Sequence, residues 1–376
     1  MSTQTLPIRE ITIEPDHLQE LQEDSWSHTF QPVQLEMNGI SREATFGYRG
    51  GHTRNYFKKS YEVRTTTGLT LHWNAEFDDP SMIRNALSFQ FFNQIGVPSP
   101  RTRHIWLVIN GAPQGVYLEI ESVDPRFFRR RGIGCRAIIY AVNDSANFSL
   151  IDPITERRKE SLFDGYELVS GLAASELRLI RFVSGINRKH TSRLQWSTWT
   201  SRRLDVDQYL LWLAGAVLTG NYDGFDQNYA LYVHGKTGKY RMMPWDYEGT
   251  WGRNCYGKPC GSDLVRVEGY NTLTDKLLAI PAYKRKYRSI LLRLLQTAFT
   301  EEQVERTVRA MYSKLTPAIQ EDYTRKSSFD TYLSEPNFIL NYVKERRALI
   351  RKALKSWKLT KKTADVDVAA LKVKIH

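Results

Sequence analysis

The segments Asn221-Tyr222-Asp223-Gly224-Phe225-Asp226-Gln227-Asn228 and Pro244-Trp245-Asp246-Tyr247-Glu248 place an Asp-x-x-x-x-Asn step and a second aspartate around one short hairpin. These residue types suit a site where a metal ion meets phosphate. A loose phosphoryl transition state asks a protein for positioning and charge neutralisation rather than for covalent chemistry. One carboxylate must take the proton of an acceptor hydroxyl. An amide oxygen and a second carboxylate must hold a divalent cation against the phosphates. Asp223, Asn228 and Asp246 supply those three groups in that order. Asp and Asn are also ordinary turn residues that bond their own backbone, so the pattern gains meaning only from the elements around it.

Those elements are legible. Residues 206–219 are apolar on most sides, follow Asp205 and stop at Gly220, which predicts a buried helix capped at both ends. Residues 229–233 and 240–243 read as strands joined by a turn at Lys236-Thr237-Gly238-Lys239. A hairpin returns the chain to its start, so Asp246 emerges beside the loop that carries Asp223 and Asn228.

Upstream, residues 42–48 and 61–65 have strand composition and enclose Arg49-Gly50-Gly51-His52-Thr53-Arg54. Glycines there would let backbone N–H groups approach a phosphate, with Arg54, Lys58 or Lys59 to neutralise it. A plain hairpin turn with solvent-facing cations fits the same residues. Residues 80–95 show helical spacing and close at Gly96, and residues 103–109 and 115–120 form a hairpin about Asn110-Gly111. The expected organisation is α+β. Residues 1–41 are an irregular, acid-rich lead-in with one short strand near Ile11, and 42–125 form a strand-rich lobe. Residues 126–357 form a mainly helical lobe with helices near 165–186, 206–219, 283–297, 301–314 and 336–357, and 358–376 make a basic tail.

Composition narrows the function classes. With 376 residues, 41% hydrophobic and 12% aromatic, the chain can bury a sizeable core as one large domain or two lobes, which excludes a disordered protein. No apolar run reaches membrane-spanning length and the N-terminus lacks the apolar core of a secretion signal, so no membrane partner is expected and a cytosol-like compartment is. Three cysteines make no disulfide framework, and Cys255 and Cys260 lack a second pair to complete a zinc site. The net charge of +12 includes Arg129-Arg130-Arg131, Arg202-Arg203 and Lys284-Arg285-Lys286, a surface suited to steering anions. None of these clusters lies in a nucleic-acid-binding motif, so nucleic acid is not an expected partner. Asp78-Asp79, Glu119, Glu121 and Asp124 are candidates for docking a basic protein.

YRGGHTRNYFKKSY, DDPSMIRNALSFQFF, NGAPQGVYLEIE, NYDGFDQNYALY and PWDYEGTWG, spread over residues 42–252, jointly resemble the spore coat protein H kinase family, the CotH-type atypical kinases of spore formers. The resemblance implies an atypical protein-kinase-like two-lobed fold with a strand-rich N-lobe and a mainly helical C-lobe. It implies ATP and Mg²⁺ (or Mn²⁺) as cofactors, transfer of phosphate to Ser or Thr of Ser/Lys/Arg-rich spore coat proteins, and a place in the inner spore coat after synthesis in the mother-cell cytoplasm. Carried over by position, the essential acid of NYDG falls on Asp223 and the metal-binding acid of PWDY on Asp246, with Asn228 following by spacing. Lys59 in KKSY is the candidate catalytic and phosphate-pairing lysine, with Lys58 as its nearest rival; Gly50, Gly51 and Arg54 complete the nucleotide side. The glycine turn lacks the full Gly-x-Gly-x-x-Gly loop and the helix at 80–95 offers no glutamate. The lysine's acidic partner therefore stays open among Glu62, Glu76, Glu119 and Glu121, of which Glu119 joins the expected cofactor set. Two other readings use the same residues: a morphogenetic coat scaffold with a kinase-like fold, and a metal-dependent phosphohydrolase with water as acceptor.

Overall fold

A computed structural model describes residues 6–357. The first part of the chain runs β1 (Ile8–Thr12), α1 (Pro15–Glu23), β2 (Gln31–Met37), β3 (Ile40–Arg49), β4 (Ser60–Thr65), β5 (Thr70–Asn74), α2 (Arg84–Ile95), β6 (Thr102–Ile109) and β7 (Ala112–Glu121). Its seven strands close into a barrel in the order β1-β2-β3-β4-β5-β7-β6, sealed by parallel pairing of β1 with β6 from Ile8 opposite Trp106 to Ile11 opposite Ile109. Successive strand residues face opposite sides, and β2 alternates buried and exposed side chains accordingly. Leu35, Phe46, Val63, Trp73, Ile105 and Leu107 fill the interior.

The stretch expected as an irregular lead-in with one short strand near Ile11 has that strand as β1, and supplies α1 and β2 as well. Without β1 and β2 the sheet would have open edges with unpaired backbone groups, and closure removes them. A signal was present in Asn38-Gly39, both at positive φ (56° and 74°), which makes the two-residue turn joining β2 to β3.

The second part continues with α3 (Pro125–Arg130), β8 (Cys135–Ala141), β9 (Tyr166–Ser170), α4 (Ala174–Asn187), α5 (Arg193–Ser201), α6 (Val206–Thr219), β10 (Tyr229–His234), β11 (Tyr240–Pro244), α7 (Thr272–Leu278), α8 (Pro281–Leu294), α9 (Glu301–Glu321) and α10 (Phe329–Ser356). A four-stranded sheet, β11-β10-β8-β9, sits among these helices. The helix expected at 165–186 is divided: its first residues pair with β8 as a strand. Gly171 then turns the chain at φ +136°, where a Cβ would come within 2.9 Å of Ala137. The expected basic tail lies outside the described residues. Among the described residues no helix is long and apolar enough to cross a membrane.

α6 is the axis of the larger core. The Asp205 side chain accepts from Gln208 N at its start and Gly220 ends it in the left-handed region, φ 73°. Beyond its first turn it is apolar on nearly every side and buried from Trp212 to Thr219. α2 crosses it so closely that a Cβ on Gly215 would meet the Phe92 ring at 2.3 Å. Gly215→Ala is therefore expected to cost about 1–3 kcal/mol by overpacking, read from the urea midpoint. Although α2 lies between barrel strands in sequence, its Phe91 packs with Trp251 and Phe299 of the second part. That placement lets it hold the site from behind.

Candidate active site

Hairpin register brings the acidic residues together. Tyr229 of β10 stands opposite Pro244 of β11, and Trp245 N donates to Asn228 O at 3.2 Å, so Asn228 and Asp246 flank one hydrogen bond at the hairpin's open end. Both have φ 56°, a left-handed conformation that Asn and Asp adopt more readily than most residues and that concentrates at functional sites. Asp223 sits in the loop leaving α6. Gly224 lets that loop fold back, because a Cβ there would lie 2.6 Å from Asn221 Nδ2.

These groups line a cleft of about 420 Å³ between the barrel and the second part. Asp223, Gln227, Asn228, Asp246 and Glu248 form one side, and Arg49, Gly50, Gly51, His52, Lys58 and Glu76 contribute the barrel side. Burial, then the charges of Asp144 and Asp246, holds the Asp223 carboxyl above its usual range. Burial also raises Asp246, against the opposing charges of Arg49 and His52. Burial and then Asp246 and Glu76 push Glu248 far upward, and burial with Asp79 pushes Glu76 up to about 8. A cleft in which several carboxylates raise one another is short of positive charge, and a divalent cation would relieve it. Among the described residues no three His, Cys, Asp or Glu side chains gather as a complete metal site. Mg²⁺ does not need one, since it binds through one or two carboxylates and fills its shell with phosphate oxygens and water. Asp246 with the amide of Asn228 fits that requirement.

α2 fixes the loop that follows Asp246. Tyr247 N donates to Asn85 Oδ1 at 2.6 Å, Asn85 Nδ2 donates to Glu76 Oε1 at 3.0 Å, and Arg84 Nε donates to Thr250 O at 2.9 Å. The helix without a glutamate thus offers an amide and a buried guanidinium to the loop beside Asp246.

Residues 46–350, most of the chain and all of this cleft, match the family model described as CotH kinase protein. The chain belongs to the CotH kinase family. It is 38% identical over 352 residues to the inner spore coat protein H of Bacillus subtilis (strain 168), covering 92% of this chain and 97% of that one. It is 28% identical to the inner spore coat protein H-like protein of the same strain, over 78% of this chain and 85% of the relative. Among solved structures, the Shewanella oneidensis MR-1 HipA, HipB and operator DNA complex aligns at a TM-score of 0.41 and 12% identity, covering 93% of this chain and 74% of that one, too distant to carry an argument.

In this CotH-family chain the remaining expected site residues divide. Gly50, at φ 97°, and Gly51 line the cleft. Arg54 does not: its buried guanidinium donates to the carbonyls of Gly50, Tyr48, Ser25 and Ser27, so it ties the glycine turn to the loop before β2. Lys59 also faces away, donating to Arg54 O with its ammonium over the Tyr48 ring. Glu119 lies outside the cleft on β7, paired with Arg9 at 2.8 Å and accepting from Trp73 Nε1 at 3.1 Å. The acids proposed for docking are engaged as well. Asp79 is buried against Arg84, Glu121 pairs with Arg131, and Asp124 caps α3. Cys255 and Cys260 are free thiols.

The basic cleft residues that sequence reasoning passed over are Arg49 and His52, with Lys58 ranked only second. Arg49 is the last residue of β3, directly before Gly50, and its side chain is steadied by Asn74. An arginine abutting a glycine pair was the available signal. Glu76, one of the acids left open as the lysine's partner, is brought in by the chain after β5, and Glu248, which was given no role, by the loop after β11.

Proposed function

We propose that this CotH-family chain is an ATP- and divalent-metal-dependent protein kinase acting on Ser or Thr of spore coat proteins. The observation that carries the reading is the single cleft in which Asp223, Asn228 and Asp246 face the Gly50-Gly51 turn and Arg49. Bound Mg²⁺ or Mn²⁺ would neutralise the nucleotide phosphates. Asp246 and Asn228 would hold it, while Asp223 orients the acceptor hydroxyl and takes its proton. Arg49 and His52, which line the cleft beside Asp246, sit where anionic phosphates would need hydrogen-bond donors. The backbone of the glycine turn can approach phosphate oxygens because Gly51 has open space where a Cβ would stand.

The relatives' names speak of the inner spore coat, which supports action there; the acceptors in this reading are Ser/Lys/Arg-rich coat proteins, met after synthesis in the mother-cell cytoplasm. The test is transfer of labelled γ-phosphate from ATP to such a protein. Phosphate release that ignores the acceptor would mark a hydrolase, and absence of both transfer and ATP binding would leave a scaffold. Asp246→Asn is expected to weaken metal-nucleotide affinity on the order of 10- to 100-fold, the range found when a metal's immediate surroundings are disturbed. Titration of ATP at fixed Mg²⁺ checks it, and an unchanged affinity would remove Asp246 from the metal site.

A further inference from the structure

We infer that Asp322 is the acid that positions Lys58 toward the nucleotide phosphates, a role that a helix glutamate of the N-lobe fills in protein kinases. This rests on the kinase reading above. α2 turns Arg84, Asn85 and Ser88 toward the cleft loops and brings no acid to Lys58. The other acids considered are engaged elsewhere: Glu62 with Arg64, Glu76 with Asn85, Glu119 with Arg9, Glu121 with Arg131. Lys58 is 4% exposed and lines the cleft. Its ammonium donates to Val116 O at 2.8 Å and to Asp322 Oδ2 at 3.2 Å.

Asp322 arrives from the C-terminal end of α9, 264 residues away along the chain. Its carboxylate is held on both oxygens. Oδ2 also accepts from Val116 N at 2.8 Å, and Oδ1 accepts from Thr324 N at 2.8 Å and Thr324 Oγ1 at 2.6 Å. Entry of this carboxylate requires the glycine that precedes Val116, because a Cβ on Gly115 would lie 2.2 Å from Asp322 Oδ1. Thr324 Oγ1, its proton on Asp322, also lies 3.0 Å from Gln114 O, and Lys326 pairs with Asp78 on the cleft wall.

The chemistry follows from what the ammonium has left. A lysine has three N–H donors; Val116 O and Asp322 take two, and one remains for a phosphate oxygen. Burial pushes Lys58 down to about 8, with Arg325 adding to that pull and Asp322 working against it. Asp322 therefore keeps a buried lysine charged near neutral pH as well as fixing where it points.

The test uses the full chain, with Mg·ATP affinity measured by calorimetry, acceptor KM measured separately, and melting followed in parallel. Asp322→Asn and Lys58→Met are each expected to raise the Mg·ATP Kd about 10- to 100-fold, as for loss of a charge-assisted hydrogen bond, with acceptor KM unchanged. Asp322→Glu should recover part of the loss, and Gly115→Ala, which displaces the carboxylate without touching either charge, should reproduce it. Adding Asp322→Asn to Lys58→Met should cost no further affinity, since Asp322 acts through the lysine. Losses that add, or an Asp322→Asn protein that melts lower yet binds Mg·ATP like the parent, would make Asp322 a mere anchor for α9. A parent chain that binds no Mg·ATP would overturn the kinase reading and this inference with it.

Discussion

Asp223→Asn is expected to lower phosphoryl transfer by about 10²- to 10⁴-fold, the usual contribution of a positioned general base, while leaving Mg·ATP binding largely intact. The amide keeps the size of the side chain and removes the group that takes the acceptor proton. It also removes a negative charge from a cleft where burial, then Asp144 and Asp246, already hold that carboxyl's pKa above its usual range, so nucleotide binding should not suffer. Single-turnover transfer and ATP binding, measured on the same preparation, separate the two roles. Loss of both together would move Asp223 from proton acceptor to metal ligand, and full transfer activity would exclude it from the chemistry.

Arg84→Met should cost about 3–5 kcal/mol of stability, because it removes the cation from a fully buried ionic network. Arg84 is completely buried, paired with Asp79 at 2.5 Å and with Glu335 of α10 at 2.7 Å, and it donates to Thr250 O. Without it Asp79 is left buried beside Ser81, and Glu335 keeps only Arg253. The penalty comes from the stranded charges rather than from the worth of the pair itself. Urea unfolding reads the loss. A change below about 1 kcal/mol, the scale of an exposed pair, would mean that water reaches the network. Because the same guanidinium holds the carbonyl of Thr250, metal-nucleotide affinity should fall alongside stability.

Much of what positions the acidic residues is local, and local features can be read from sequence. The caps of α6 at Asp205 and Gly220, the turn between β10 and β11, and the exit of Asp246 beside Asn228 follow from side chains within a few residues of each other. So does the Asn110-Gly111 hairpin between β6 and β7. The β2–β3 hairpin was equally local through Asn38-Gly39, but the acid-rich stretch around it reads as loop unless its period of two is followed.

Facing and long-range pairing lay beyond the sequence. Lys58 and Lys59 are adjacent and chemically alike, yet one lines the cleft and the other turns to the Arg54 carbonyl, a choice set by how the chain enters β4. Arg49 and Arg54 flank the same glycines, yet only the first keeps its charge in the cleft, because folding of the loop before β2 adds the Ser25 and Ser27 carbonyls to those of Tyr48 and Gly50 around Arg54. Asp322 reaches Lys58 only once α9 docks on β7. The sequence by itself determined the hairpin, the capped helix and the glycine turn, since these depend on neighbours along the chain. Tertiary structure alone decided barrel closure by β1, which cations face the acids, and which acid holds the lysine, since those depend on packing between segments up to 264 residues apart.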